Sequence, residues 1–199
     1  MITKRTEVDQ IEITENGTAQ IRFHKVITDD DGEEIRQYHR TSVPPGGDIA
    51  AQIKAVHDHL ATPAMGAYPP MVAADVQWTK DCVQAAHTPD VVAEFQAGQV
   101  KPGDKPKKLP VPTGIMQSTT VIEQTVLRRD GLVIVRPCKI IEDNGNVLAR
   151  KSLPQVVLEP GAILVDRLNE AGHTLDQPDI DKAQALVDVV HTPAVVKEK

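Results

Sequence analysis

Short runs of alternating β-branched and polar residues fill the first 43 positions, and a longer apolar period follows them. "EVDQIEIT", from Glu7, ends at Asn16-Gly17; "AQIRFHKVIT", from Ala19, ends at "DDDG"; "EEIRQYHRTSV" closes the group at Val43. Alternation of this kind predicts half-buried strands. Asn-Gly supplies the positive φ angles of a two-residue hairpin turn, and the Asp-rich stop is turn chemistry. After "PPGG" the period changes. Asp48 is placed to cap a helix that carries Ile49, Ile53, Val56 and Leu60 on one face. A second helix is predicted over "AADVQWTKDCVQAA", from Ala73.

The pattern then starts again. "TVIEQTVLRRDGLVIVRPCKIIEDNGNVL", from Thr120, lies over "TEVDQIEITENGTAQIRFHKVITDDDGEEI", from Thr6. Gln10 meets Gln124, Gly17 meets Gly131, Arg22 meets Arg136 and Lys25 meets Lys139. Pro45-Gly46 then faces Pro160-Gly161, and "HTPDVV" at His87 returns as "HTPAVV" at His191. A fixed order of matched features is the mark of an internal repeat. The predicted fold is α+β: two tandem similar units, each a three-stranded antiparallel meander followed by two to three helices. Residues 1–96 form the first unit, 97–119 a Pro/Lys-rich linker and 120–199 the second. "NVLARKSLPQVVL", from Asn146, is read as one third strand, with Pro137 and Pro154 marking edges or bulges. Whether the two sets of strands share one sheet is left open.

The repeat gives the HTP motif an architectural meaning. His87 and His191 close the second helix of each unit, where an imidazole meets unpaired carbonyls and the negative end of the dipole. Thr88 and Thr192 are placed to cap a following short helix, and Pro89 and Pro193 to fill its first position. Val91, Val92, Val195 and Val196 then pack back on the unit. No nucleophile or acid stands in register with either histidine, so the expected catalytic set is empty.

Two segments break the repeat. "ATPAMGAYPPMVA", from Ala61, is uncharged and has no counterpart in the second unit. Its Met65, Tyr68, Pro69, Pro70 and Met71 are candidates for partner binding, with a packing lid as the other reading. The join carries Lys105, Lys107 and Lys108, which could lie across an acidic surface or stand in solvent. Basic residues number 8 against 15 acidic in 1–96, 4 against 1 in 97–119, and 10 against 12 in 120–199.

Composition narrows the function classes. Only 3% of residues are aromatic and 40% apolar, which suits two small aliphatic cores. A net charge of −6 without clustered Lys/Arg and stacking aromatics argues against nucleic acid. No apolar run reaches bilayer length, and the polar start lacks the apolar core of a signal peptide. Cys82 and Cys138 are expected as semi-buried thiols in a reducing compartment. "DDDGEE", from Asp29, fails the EF-hand spacing and reads as a solvated turn. His57 and His59 point to different helix faces, so no joint metal site is expected. No cofactor is indicated.

The run from Thr6 to Arg40, with "PGGD" and the "HTPDVV" ending, resembles a group of small bacteriophage proteins encoded among virion and tail genes. The likeness is clearest over 6–96 and weaker over 120–199. It implies a non-enzymatic structural or accessory virion protein, in the tail or connecting region, working through contacts with other virion proteins. It places the chain in the virion, and in the host cytoplasm during assembly. Three copies of a two-unit chain would present six similar modules, which favours a homotrimer. The alternative is a soluble assembly chaperone or binding module that the finished particle does not retain.

Overall fold

A computed structural model describes residues 2–99, 114 and 116–191. The fold is α+β. Among the described residues one antiparallel sheet is built from β1 (Thr3–Thr14), β2 (Ala19–Thr28), β3 (Glu34–Val43), β4 (Met116–Arg128), β5 (Val133–Asp143) and β6 (Asn146–Ser152). Their order across the sheet is β3-β2-β1-β4-β5-β6, and the short β7 (Val156–Leu158) pairs with β5. The strands therefore merge into one sheet. Its central seam is β1 against β4, five antiparallel pairs from Gln10↔Arg128 to Thr14↔Gln124.

Both seam strands carry a bulge, after Val8 in β1 and after Ile122 in β4. An extra residue reverses which positions face the core. Thr6 and Val8 point inward before the first bulge, and Ile11 and Ile13 after it. In β4, Ile122 precedes the bulge and Thr125 and Leu127 follow it. Asp9, left out of the ladder, accepts three hydrogen bonds from the Arg22 guanidinium at 2.5–3.1 Å.

The hairpin turns differ from expectation. Gly17 at φ +81° and Gly131 at φ +85° are left-handed, whereas Asn16 and Asp130 are not. Thr14 and Thr18 close the first loop, and Arg128 and Leu132 the other. These are three-residue loops ending in a left-handed glycine, and not two-residue turns. The two-residue form occurs at Asn144-Gly145, where both φ angles are positive. The stretch read as a single third strand is also broken. β6 stops at Ser152 and β7 restarts at Val156, with Pro154 in the gap. Pro137 lies on β5 beside that break, where its missing N–H removes no ladder bond to β6 or β7.

Helices α1 (Ile49–Leu60), α2 (Ala73–Ala86), α3 (Pro89–Gly98), α4 (Leu164–Glu170) and α5 (Gln177–Val190) complete the described fold. Asp48 caps α1, accepting from the Ala51 N–H at 3.0 Å, and Ile53, Val56 and Leu60 are buried. Leu164 and Leu168 bury the matching face of α4. Side chains from all these strands except β6, and from every helix but α3, meet in one largely aliphatic cluster, with Phe23 and Tyr68 as its buried aromatics. Cys82 and Cys138 are fully buried rather than semi-buried, and unpaired. Burial pushes the Cys82 thiol up to about 12, so it is no nucleophile near neutral pH.

Candidate functional site

The carbonyl of Gly17 organises one end of the molecule. His87 follows α2, and its Nε2–H donates to Gly17 O at 3.0 Å; His191 follows α5 and donates likewise to Gly131 O at 3.0 Å. A carbonyl only accepts, so the proton is on Nε2. This corrects the expected partner: the imidazoles bridge to a hairpin turn instead of the helix's own carbonyls. Nor does a charge on the helix dipole hold His87, because burial lowers its pKa, with the Gly17 bond opposing. Thr88 caps α3, accepting from Val91 N–H at 3.4 Å, and Pro89 stands at its first turn. Val91 lies so close to Gly17 that a Cβ there would overlap its Cγ1 methyl. Gly17 is thus demanded twice, by its φ angle and by α3. Thr192, Pro193, Val195 and Val196 lie outside the described residues.

Between this corner and α5 opens a cleft of about 510 Å³, a size typical of ligand sites. Its floor is apolar, from Ile13, Ile122 and Leu186, and Val91 and Phe95 of α3 form one wall. Glu15, Glu94, Asp179 and Lys182 supply the charge. Lys182 reaches Glu94 at 3.7 Å across an exposed rim, a pairing of little strength. Glu15 turns away to Arg150, at 2.5 Å. Asp179 has no ion pair among the described residues. Its pKa is raised, first by burial and further by Asp176 and Glu15; Lys182 and a backbone bond with Ile122 oppose this.

A related cluster on the other side of the seam is closed. Asp75 accepts from Arg129 Nε at 3.1 Å and from the Val8 N–H at the β1 bulge, at 3.4 Å. Arg129 also lies over the Trp78 ring, 5.4 Å from its centroid, a favourable place for a guanidinium. Composition gave no hint of either grouping. The seam between β1 and β4 brings Arg129 to Asp75 on one side and Glu15 to the cleft of Asp179 on the other.

The uncharged segment before α2 is tied down. Tyr68 and Met71 are buried in the core, Met65 is half-buried, and Pro69 and Pro70 are exposed. Thr6 Oγ1 donates to Pro69 O at 2.7 Å, Lys4 Nζ to Gly66 O at 2.6 Å, and Met71 N–H to His57 Nε2 at 3.2 Å. The ammonium groups of Lys4 and Lys25 lie near the Tyr68 ring. Burial of Tyr68 and Met71 supports the lid reading and leaves Pro69, Pro70 and Val72 as outer surface. Lys105, Lys107 and Lys108 lie outside the described residues. The acidic turn uses its carboxylates internally: Asp29 accepts from the Asp31 and Glu33 amides, and Glu34 pairs with Arg5 and Arg36. Among the described residues no three His, Cys, Asp or Glu side chains gather as metal ligands, and no helix is long and apolar enough to cross a membrane.

Acid sensitivity follows from the imidazoles. Burial lowers the pKa of His24, His39, His57 and His87. The His24 ring is in addition buried without a hydrogen bond. Its Nε2 stands 3.2 Å from Asp9 Oδ2, too poorly angled for a hydrogen bond, and Nδ1 has no partner either. Each of these histidines binds fewer protons folded than unfolded. Their stabilisation is complete above the unfolded value of about 6.5 and is lost as pH falls below it. The melting temperature should therefore drop steadily from pH 7 to pH 5. His57→Gln should flatten that slope, since protonating His57 also removes the acceptor for Met71 N–H. An unchanged slope would show that His57 does not contribute.

No protein-family profile, curated protein or solved structure matches this chain.

Proposed function

We propose that the chain is a non-enzymatic structural or accessory protein of a bacteriophage virion, in the tail or connecting region, working through protein–protein contacts. The observation that carries this is the sheet's two open ends. Among the described residues β3 and β6 are the outermost strands, and they are exposed along nearly their whole length. Ile35 and Tyr38 stand out on one, Val147 and Leu148 on the other. An exposed edge is a template on which another chain can add.

Tandem duplication is part of the same reading, with units of 1–96 and 120–199 about a join of 97–119. The seam register supports it. Under the 114-residue offset that takes Gly17 to Gly131, Gln10↔Arg128 maps onto Gln124↔Thr14, and Glu12↔Val126 maps onto itself. That is the pairing expected of a twofold axis through Glu12 and Val126. The two bulges obey the same offset, and the two imidazole–glycine bonds repeat with Gly17 taken to Gly131 by 114 residues and His87 to His191 by 104. Three copies of a chain built this way would supply six modules, which suits a homotrimer.

The second reading, a soluble assembly chaperone or binding module, draws support from the edge composition. Arg36 and Arg40 on β3, and Arg150 and Lys151 on β6, are charges of the kind that guard edges against permanent pairing. Quantitative proteomics of gradient-purified particles separates the two. Stoichiometric recovery, with a native mass of three chains for the isolated protein, is the expected result. Absence from particles would move the chain to the chaperone class. A monomer both free and in particles would end the trimeric arrangement.

A further inference from the structure

We infer that the cleft between α3 and α5 is a receptor for an arginine side chain flanked by apolar residues, presented by a peptide segment of a partner protein, with Asp179 as the counter-ion. The inference rests on the repeat proposed above and not on placement in a virus particle.

The molecule supplies the precedent. Matching Cys82-Val83 to Leu186-Val187 sets Asp75 against Asp179 and Trp78 against Lys182. Matching Gly17 to Gly131 sets Glu15 against Arg129. On one side of the seam these three places form the closed cluster: the Arg129 guanidinium pairs with the Asp75 carboxylate and lies over the Trp78 ring. On the other side, the same three places hold Asp179, Lys182 and Glu15. The carboxylate is retained and lies beside Ile122 at the β4 bulge, as Asp75 lies beside Val8 at the β1 bulge. The inserted cation is replaced by an acid. Glu15 is drawn off to Arg150 and Lys182 to Glu94, and the volume that Arg129 occupies on one side is open on the other.

Charge and shape fit the same occupant. With Glu15 paired to Arg150 and Glu94 to Lys182, Asp179 is the lining carboxylate without an ion pair among the described residues, so a cation entering the cleft gains a partner there. A guanidinium can engage a carboxylate with two parallel N–H groups, which an ammonium cannot. The walls of Val91, Phe95, Ile13 and Leu186 suit the arginine stem and its apolar neighbours. The cleft is larger than one side chain needs, so a short segment enters and not a free ion.

The test is a titration of the full chain with acetyl-Leu-Arg-Leu-amide, followed by calorimetry and by amide shifts. A control peptide carries citrulline, the uncharged isostere of arginine. Saturable binding is expected, with shifts centred on the Thr88, Val91, Asp179 and Lys182 amides. Citrulline should weaken binding about tenfold or more, as loss of a charge-assisted hydrogen bond does. Asp179→Asn should weaken the arginine peptide by a similar factor. Equal binding of the citrulline peptide overturns the inference, as do undiminished binding by Asp179→Asn, shifts mapping elsewhere, or no saturation. A rise in affinity when Lys105, Lys107 and Lys108 are changed together to Ala assigns the cleft to the chain's own join, and overturns it too. A failed titration leaves the particle assay untouched, and absence from particles leaves the titration untouched.

Discussion

Phe23→Ala is expected to lower the unfolding free energy by about 3–5 kcal/mol, the largest single effect foreseen in this chain. Phe23 is fully buried on β2, opposite Val8 in β1 and His39 in β3. The core around it is otherwise almost wholly aliphatic, with many short Val, Ile and Ala side chains. Such neighbours have little reach to close the space a phenyl ring leaves, so the cavity term is paid nearly in full. Phe95→Ala, on the partly exposed wall of the cleft, should cost no more than about 1 kcal/mol. Urea melts followed by far-ultraviolet circular dichroism measure both. Equal midpoints for the two variants would mean that Phe23 is not central to the core.

Arg129→Ala is the second, at about 2–4 kcal/mol. It leaves Asp75, whose side chain is 11% exposed, without its cation, while its other oxygen still faces the Val8 amide. Asp75→Ala should cost a comparable amount for a different reason, because the bulge amide of Val8 then loses its acceptor. Arg129 itself, 43% exposed, can turn to water. The double variant should cost less than the two together, with a coupling of about 1 kcal/mol or more. Trp78, the one tryptophan, lies against Arg129 and reports the loss in its emission maximum. Strict additivity would reduce the pair to two independent surface groups.

Much of the fold was legible in the residues. The alternation of β1 to β3, the Asp48 cap and the span of α2 all follow from local chemistry, which acts over a few positions. The bulges were written there too. Val8 and Ile11 stand three apart where alternation asks for two, and so do Ile122 and Thr125; that irregular step is the signal. The first and third turns differ from the two-residue form because Asn-Gly and Asp-Gly fit both loop lengths, and the length depends on which pair closes the hairpin. Pro154 signals a disturbance in the local sequence, but the break it makes depends on the distant pairing of β7 with β5. The candidate cleft could not be read at all. Its walls come from α3, α5, β1 and β4, and only the β1–β4 seam makes Asp179 a neighbour of Glu15.

That seam has a further implication for how chains combine. Five residue pairs join the two halves of the sheet, and nothing in their geometry requires both strands to come from the same polypeptide. The β1 of one molecule could meet the β4 of another with every bond of the closed form retained. Such an exchange would leave the unfolding enthalpy per chain nearly unaltered while tying the populations of single and reciprocally swapped molecules to concentration.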